Sequence, residues 1–316
     1  RNQAWLCKIN TQGDVVWQKT FGAQDTEETF QKVILTKDGN FIAVGSLDKH
    51  KQDIADRPII STPNPTSTQR QGWVVKLNPQ GEILWQTTVS GPSQTWDTLV
   101  DVTMTNNHMI AVGATRSFSE GTSGSYVVRL GFEQGNVVWQ KAYPTTSTGK
   151  SNNTAHAVVK VDDQNFALVG VSGKHVDFGK QTVDGNIRFL TFDLEGQKQI
   201  DKTFDISGAG QGIDEGIDLL RIPDGFVILA AVQYDIYMKA YEESNVMVVQ
   251  IDEQANMVWK SLLGTPKKYD YPSQIISTQD RGFAVVGSTQ AFVKEGEKPA
   301  DNLYVLKLNP QGRLEQ

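Results

Sequence analysis

The stretch Trp73-Val-Val-Lys-Leu-Asn-Pro-Gln-Gly81-Glu-Ile-Leu-Trp85-Gln86 reads as two short apolar runs joined by a turn, and the chain contains it more than once. An earlier copy is Trp5-Leu-Cys-Lys-Ile-Asn-Thr-Gln-Gly13-Asp-Val-Val-Trp17-Gln18, and a later one runs from Tyr126-Val-Val-Arg-Leu130 to Gly135-Asn-Val-Val-Trp139-Gln140. More worn copies are Phe189-Leu-Thr-Phe-Asp-Leu-Glu-Gly196, Val248-Val-Gln-Ile-Asp-Glu-Gln-Ala255-Asn-Met-Val-Trp259 and Tyr304-Val-Leu-Lys-Leu-Asn-Pro-Gln-Gly312. The turn positions 13, 81, 135, 196, 255 and 312 recur at a spacing of about 60 residues, which marks a repeat architecture.

A second half-unit lies between these copies. It reads Val33-Ile-Leu-Thr-Lys-Asp38-Gly39-Asn-Phe41-Ile-Ala-Val-Gly45 at first, with echoes at Met109–Gly113, Phe166–Gly170, Asp224–Ala231 and Asp280–Gly287. Asp-Gly between β-branched runs signals a tight hairpin, because glycine takes the positive φ of a strand-matching turn. Each unit therefore reads as a four-stranded antiparallel meander. Runs such as Phe41-Ile-Ala-Val and Val15-Val-Trp17 are apolar without clean alternation, which implies burial on both faces of a sheet. Stacking the units around an axis supplies neighbours on both sides, so the expected fold is all-β, a β-propeller of four-stranded blades. Whole blades fall at 22–90, 91–143, 144–205, 206–263 and 264–316, with residues 1–21 as a leftover hairpin. Six blades are expected, the first incomplete. The small residues of Ala-Val-Gly suit a crowded region near the axis, and Trp17, Trp85, Trp139 and Trp259 read as packing between blades.

Composition narrows the function classes. The 316 residues carry 30 Lys and Arg against 36 Asp and Glu, a net charge of -6, which argues against a nucleic-acid surface. No apolar run approaches the roughly 18 residues of a membrane span. A lone Cys7 forms no internal disulfide and reads as a small residue inside a strand. His50, His108, His156 and His175 are dispersed, so zinc is unsupported, and no calcium-loop motif occurs; no cofactor is expected. Gly149-Lys150-Ser151 lacks the helix that a phosphate loop precedes, and Gly208-Ala-Gly210-Gln-Gly212 lacks dinucleotide spacing.

The repeat resembles the Trp-Leu-Val-Lys-Leu-Asp, Gly, Trp-Gln-Lys-Thr-Phe-Gly, Thr-x-Asp-Gly-Gly-Tyr, Val-x-Gly units of bacterial, especially Bacteroidetes-type, surface and secreted β-propeller proteins. The resemblance covers nearly the whole chain and implies a binding or scaffold propeller of a cell envelope or surface, extracellular or associated with the outer membrane. The expected partner is a protein in a surface assembly, or a glycan. Long connections at 47–71, 115–124, 172–185, 233–244 and 289–301 emerge on one face, where binding usually resides. Trp96, Phe118, Phe178, Tyr234, Tyr237, Tyr241 and Phe292 are its candidate contact residues, as aromatic platforms for sugar or protein. The leading expectation is a non-catalytic protein. The alternative is a carbohydrate-active propeller enzyme that uses acids at the axial mouth, ahead of each unit's first strand, such as Asp25, Glu27, Asp214 and Glu215. Such acids, with Asp97 and Asp270, also read as repeated caps of a loop-to-strand junction.

Overall fold

The computed structural model describes residues 2–50, 68–118, 123–144, 152–177, 182–208, 212–234, 244–265, 268–292 and 301–315. These residues form strands, turns and bends, with no helix among them. The chain divides into two compact units, Arg1–Pro144 and Thr145–Gln316.

The first unit opens with a hairpin of β1 (Ala4–Ile9) and β2 (Val15–Phe21). Two four-stranded antiparallel sheets follow in simple meander order. One is β3 (Thr26–Leu35), β4 (Phe41–His50), β5 (Thr68–Leu77) and β6 (Ile83–Val89). The other is β7 (Asp97–Met104), β8 (His108–Thr115), β9 (Gly124–Gly131) and β10 (Val137–Tyr143). The second unit holds β11 (Asn152–Lys160), β12 (Asn165–Asp177), β13 (Thr182–Asp193) and β14 (Lys198–Phe204), then β15 (Gly212–Ile222), β16 (Gly225–Tyr234), β17 (Asn245–Ile251) and β18 (Met257–Leu263). Its last sheet has three strands, β19 (Asp270–Ser277), β20 (Phe283–Thr289) and β21 (Asn302–Leu308), where the sequence led us to expect four. A short parallel bridge ties the third strand of one sheet to the lead-in of the next, as Arg70 with Trp96, Asp184 with Gly212, and Ser244 with Tyr269.

The turn after each third strand explains the Asn-x-x-Gly part of the repeat. The Asn78 side-chain carbonyl accepts the amides of Gln80 and Glu82, which lets the chain reverse at Gly81, φ +75°. Asn10, Asp193, Asp252 and Asn309 do the same in their own turns. Glycine occupies the left-handed position in five copies, and Ala255 takes it at φ +60° in the other.

The glycine of Ala-Val-Gly has a cause other than crowding at an axis. Every first strand carries a β-bulge at the same place, at Gln31, Val100, His156, Ile217 and Ser273. The bulge pushes the preceding carbonyl against the second strand. A Cβ at Gly45 would lie 1.9 Å from the Thr29 carbonyl oxygen, and one at Gly113 or Gly170 would lie 2.0 Å from that of Thr98 or Thr154.

In the four-stranded sheets the second and third strands are buried on both faces, as the unbroken apolar runs require: Ile42, Ala43, Val44, Val74 and Val75 have no exposed surface. Side chains from neighbouring sheets merge into shared cores, for example Val44, Val74, Leu99 and Val128 in the first unit, and Val169, Phe189, Ile228 and Val249 in the second. Fourth strands differ. Val15 and Val16 are 59% and 55% exposed, so burial on both faces fails there. A fourth strand is an outer edge, and only its last residue, such as Phe21, Val89 or Leu263, is buried. The tryptophans are half-buried covers between sheets: the rings of Trp17, Trp85 and Trp259 lie on Gly81, Gly135 and Gly312, the turn glycines of the following copy.

Candidate functional site

The acids ahead of the first strands are largely accounted for by backbone amides and neighbouring hydroxyls. Asp97, fully buried, accepts the Ser90, Thr115 and Ser117 hydroxyls and the Gly91 amide. Asp214 accepts the amides of Ile206, Ser207 and Gln233 and the Ser207 hydroxyl. Asp270 accepts the Thr265 amide at 2.6 Å, and Glu28 accepts the Ala23 amide and the Thr26 hydroxyl. A buried carboxylate with several donors is stable only because they replace its water, so these groups fasten each sheet to the corner before it. Asp214 is therefore a structural acid. Glu27 sits opposite Asp48, which holds Arg70 in a two-pronged ion pair at 2.8 Å, while Asp25 lies in the turn before β3.

Glu215 is different. It follows Asp214 on β15, and its Oε1 lies 3.2 Å from Nε2 of His156, the bulge residue of β11. The bulge turns this imidazole toward the neighbouring first strand. Nδ1 is 2.9 Å from the Gly216 carbonyl, which can only accept, so Nδ1 carries a proton. Nε2 also meets the Thr154 hydroxyl at 2.8 Å. Protonated, Nε2 donates to Glu215; unprotonated, it accepts from Thr154. The Glu215 side chain is 8% exposed and that of His156 23%, so the imidazole edge is what solvent reaches. Sequence reasoning passed over His156 because its partner lies one repeat away. The signal was a histidine at the bulge position of a repeated strand.

The aromatic candidates are placed as follows. Trp96 is half-buried at the corner before β7, with the Arg70 and Arg116 guanidinium groups 5.7 and 5.3 Å from its ring centre. Phe118, 37% exposed, covers Gly91 and lies 5.9 Å from the Tyr126 ring, so it joins the same corner. Phe292, 72% exposed, belongs to the second unit. There it lines a cavity of about 240 Å³ with Leu263, Asp270, Thr289, Tyr304 and Leu306. Tyr234 contributes backbone to β16, and Phe178, Tyr237 and Tyr241 lie outside the described residues, as does the Gly149-Lys150-Ser151 segment. Trp96 and Phe118 thus come together in a corner braced by arginine and carboxylate. No cluster of metal-ligating side chains occurs among the described residues.

No protein-family model and no curated protein matches the chain. Solved structures with a similar fold include a sucrose-6-phosphate hydrolase from Lactobacillus gasseri, at 10% identity and TM-score 0.47, covering 90% of this chain and 59% of that one. An alpha-L-arabinofuranosidase from Clostridium thermocellum has 11% identity and TM-score 0.44, covering 91% and 93%. A further glycoside hydrolase has 7% identity and TM-score 0.45, covering 98% and 92%. The chain spans less than two thirds of the first of these. The expectations of a non-catalytic binding scaffold and of no enzyme are corrected on this finding, since the activities named belong to the opposite class. At such identities and scores the likeness assigns this chain no activity, and chemistry has to be argued from its own residues.

Proposed function

We propose that the chain is a carbohydrate-active protein whose acid–base pair is Glu215 and His156. The observation that supports this reading is the 3.2 Å contact between the Glu215 carboxylate and an imidazole whose tautomer is fixed by the Gly216 carbonyl. Cleavage of a glycosidic bond needs a proton on the leaving oxygen and a carboxylate near the positive charge that develops on the sugar ring. In the proposed reaction the His156 imidazolium gives its Nε2 proton to the leaving oxygen. The bond from the sugar carbon to that oxygen breaks and the alcohol leaves. Because the two groups are 3.2 Å apart and share one face of the sugar, water then adds to the carbon from that same face and loses a proton to Glu215, which returns it to Nε2 across the short contact. Thr154 stabilises the neutral imidazole in between.

The wider setting belongs to the same proposal. The meanders are blades of a six-membered ring, and the substrate is a glycan met outside the cell, at an envelope or surface. The repeat's resemblance to exported bacterial propellers supports that placement. The test is hydrolysis of a panel of aryl glycosides and polysaccharides by the parent chain, Glu215→Gln and His156→Gln, each checked for an unchanged melting temperature. Cleavage by the parent with a loss of roughly 100-fold or more in both variants is expected. No cleavage by the parent, or full activity in Glu215→Gln, overturns the proposal.

A further inference from the structure

Pairing with the second strand puts Thr154, Glu215 and Tyr271 at one shared position of β11, β15 and β19, just ahead of the partners of Gly170, Ala230 and Gly287. In the first unit Thr29 and Thr98 hold that position on β3 and β7. The residue before it in the second unit is the buried group of the corner, Asn153, Asp214 or Asp270. Side chains alternate sides along a strand, so the next residue turns away from the corner. Tyr271 is thus to β19 what Glu215 is to β15. The two strands lie side by side, since the Ile275 amide donates to Asp218 at 2.9 Å.

Tyr271 is joined by Tyr269, one pleat further along the chain. Their rings are parallel to within 5°, with centres 6.2 Å apart, and both residues are half-buried, so part of each is left to solvent. The fold does not ask for this pair. Groups it needs return from sheet to sheet, as the buried acid does, whereas the counterparts of Tyr269 in the second unit are Asn152 and Ile213. On β7, Trp96 stands at the position of Tyr269, but with Thr98 rather than a ring beside it. Among the described first strands two aromatic rings meet here once, on the strand next to Glu215.

Taking Glu215 and His156 as the catalytic pair, we infer that Tyr271 and Tyr269 are the stacking platform of the same site, and that its ligand is a neutral glycan with equatorial ring hydroxyls. A sugar of that kind carries its hydroxyls around the rim and only C–H bonds on its faces. Those C–H bonds bear slight positive charge and meet the negative face of an aromatic ring. Tyrosine also offers rigid contact area at little cost in conformational entropy. Tyr271, level with Glu215, takes the sugar at the cleaved bond, and Tyr269 takes the unit next to it. An acidic sugar is disfavoured, because its carboxylate would be held beside that of Glu215.

The probes are xylohexaose and cellohexaose, both neutral and flat, with hexagalacturonate as the charged control, titrated calorimetrically into Glu215→Gln so that nothing is cleaved. Saturable binding of a neutral probe is expected, with hexagalacturonate bound at least about tenfold more weakly. Tyr271→Leu and Tyr269→Leu keep the bulk but lose the ring, and each should weaken binding about tenfold at an unchanged melting temperature. Tyr271→Phe should bind as the tyrosine does, since the ring and not the hydroxyl makes the contact. In hydrolysis by the parent chain, Tyr269→Leu should raise KM about tenfold and leave kcat within about twofold. No binding of either neutral probe, equal binding of the charged one, or full affinity in both leucine variants would overturn the platform. Tyrosine-dependent binding without any cleavage by the parent would uphold the platform and remove the catalytic pair. Cleavage with KM unchanged in both leucine variants would do the reverse.

Discussion

Gly45, Gly113 and Gly170 are glycine for a reason that sits on a different strand. The bulge in the facing first strand drives a carbonyl into the space a Cβ would need. Gly45→Ala should therefore cost roughly 3 kcal/mol, at the upper end of overpacking, because backbone rather than a flexible side chain must yield. Denaturant titration checks this, and a loss below about 1 kcal/mol would show that the bulge relaxes freely. Arg188 offers a second test. It has no exposed surface and depends on Asp201, whose carboxyl burial alone would raise; hydrogen bonds from Arg188 and Lys198 outweigh that and hold it below its usual range. Asp201→Ala should cost about 3 kcal/mol by taking the carboxylate from two buried guanidinium N–H groups, whereas Arg188→Met with Asp201→Leu should be close to neutral. Equal losses in both would place the energy in packing around the pair instead.

The turn from first to second strand is the element whose sequence variation is easiest to interpret. Gly39 takes φ +79° there, and Arg281 takes φ +65° at the same place in the last sheet. Arg281→Gly should stabilise the chain by about 1 kcal/mol, the cost of holding a non-glycine residue in the left-handed region. An unchanged or lowered melting temperature would contradict that. Both turns also hold an acid below its ordinary range. Asp38 falls to about 2, chiefly through the Thr36 hydroxyl against some desolvation, with help from Asn40 and Lys76, and Asp280 is lowered by Lys307 and Thr278. A carboxyl that holds its proton less tightly when folded stabilises the fold above its unfolded pKa, near 3.8, and that stability drains away toward its folded value. Melting temperature should thus fall as pH drops from about 4 to about 2, and Asp38→Asn should flatten the fall. A parallel decline in the variant would move the effect to other acids.

At the scale of the whole molecule, the turn chemistry and the meander order were legible in the sequence because both are local. The Asn-x-x-Gly reversals need only their own side chains, and Asp38-Gly39 needs only its own hairpin. The exposure of Val15 and Val16 was not legible, because an apolar run looks the same on an outer strand as on an inner one. The use of Asp97 and Asp214 was half legible: recurrence marked them as structural, but their donors come from separate corners of the chain. Least visible was the meeting of His156 with Glu215, which depends on a bulge in one strand and on how the next repeat packs beside it. That meeting carries the functional reading, and the most direct measurement on it is sugar release by Glu215→Ala with and without added sodium formate. A small acid that fills the vacated space should restore part of the lost rate, with no change in melting temperature. Full activity in the variant without formate, or no release by the parent chain, would contradict the account.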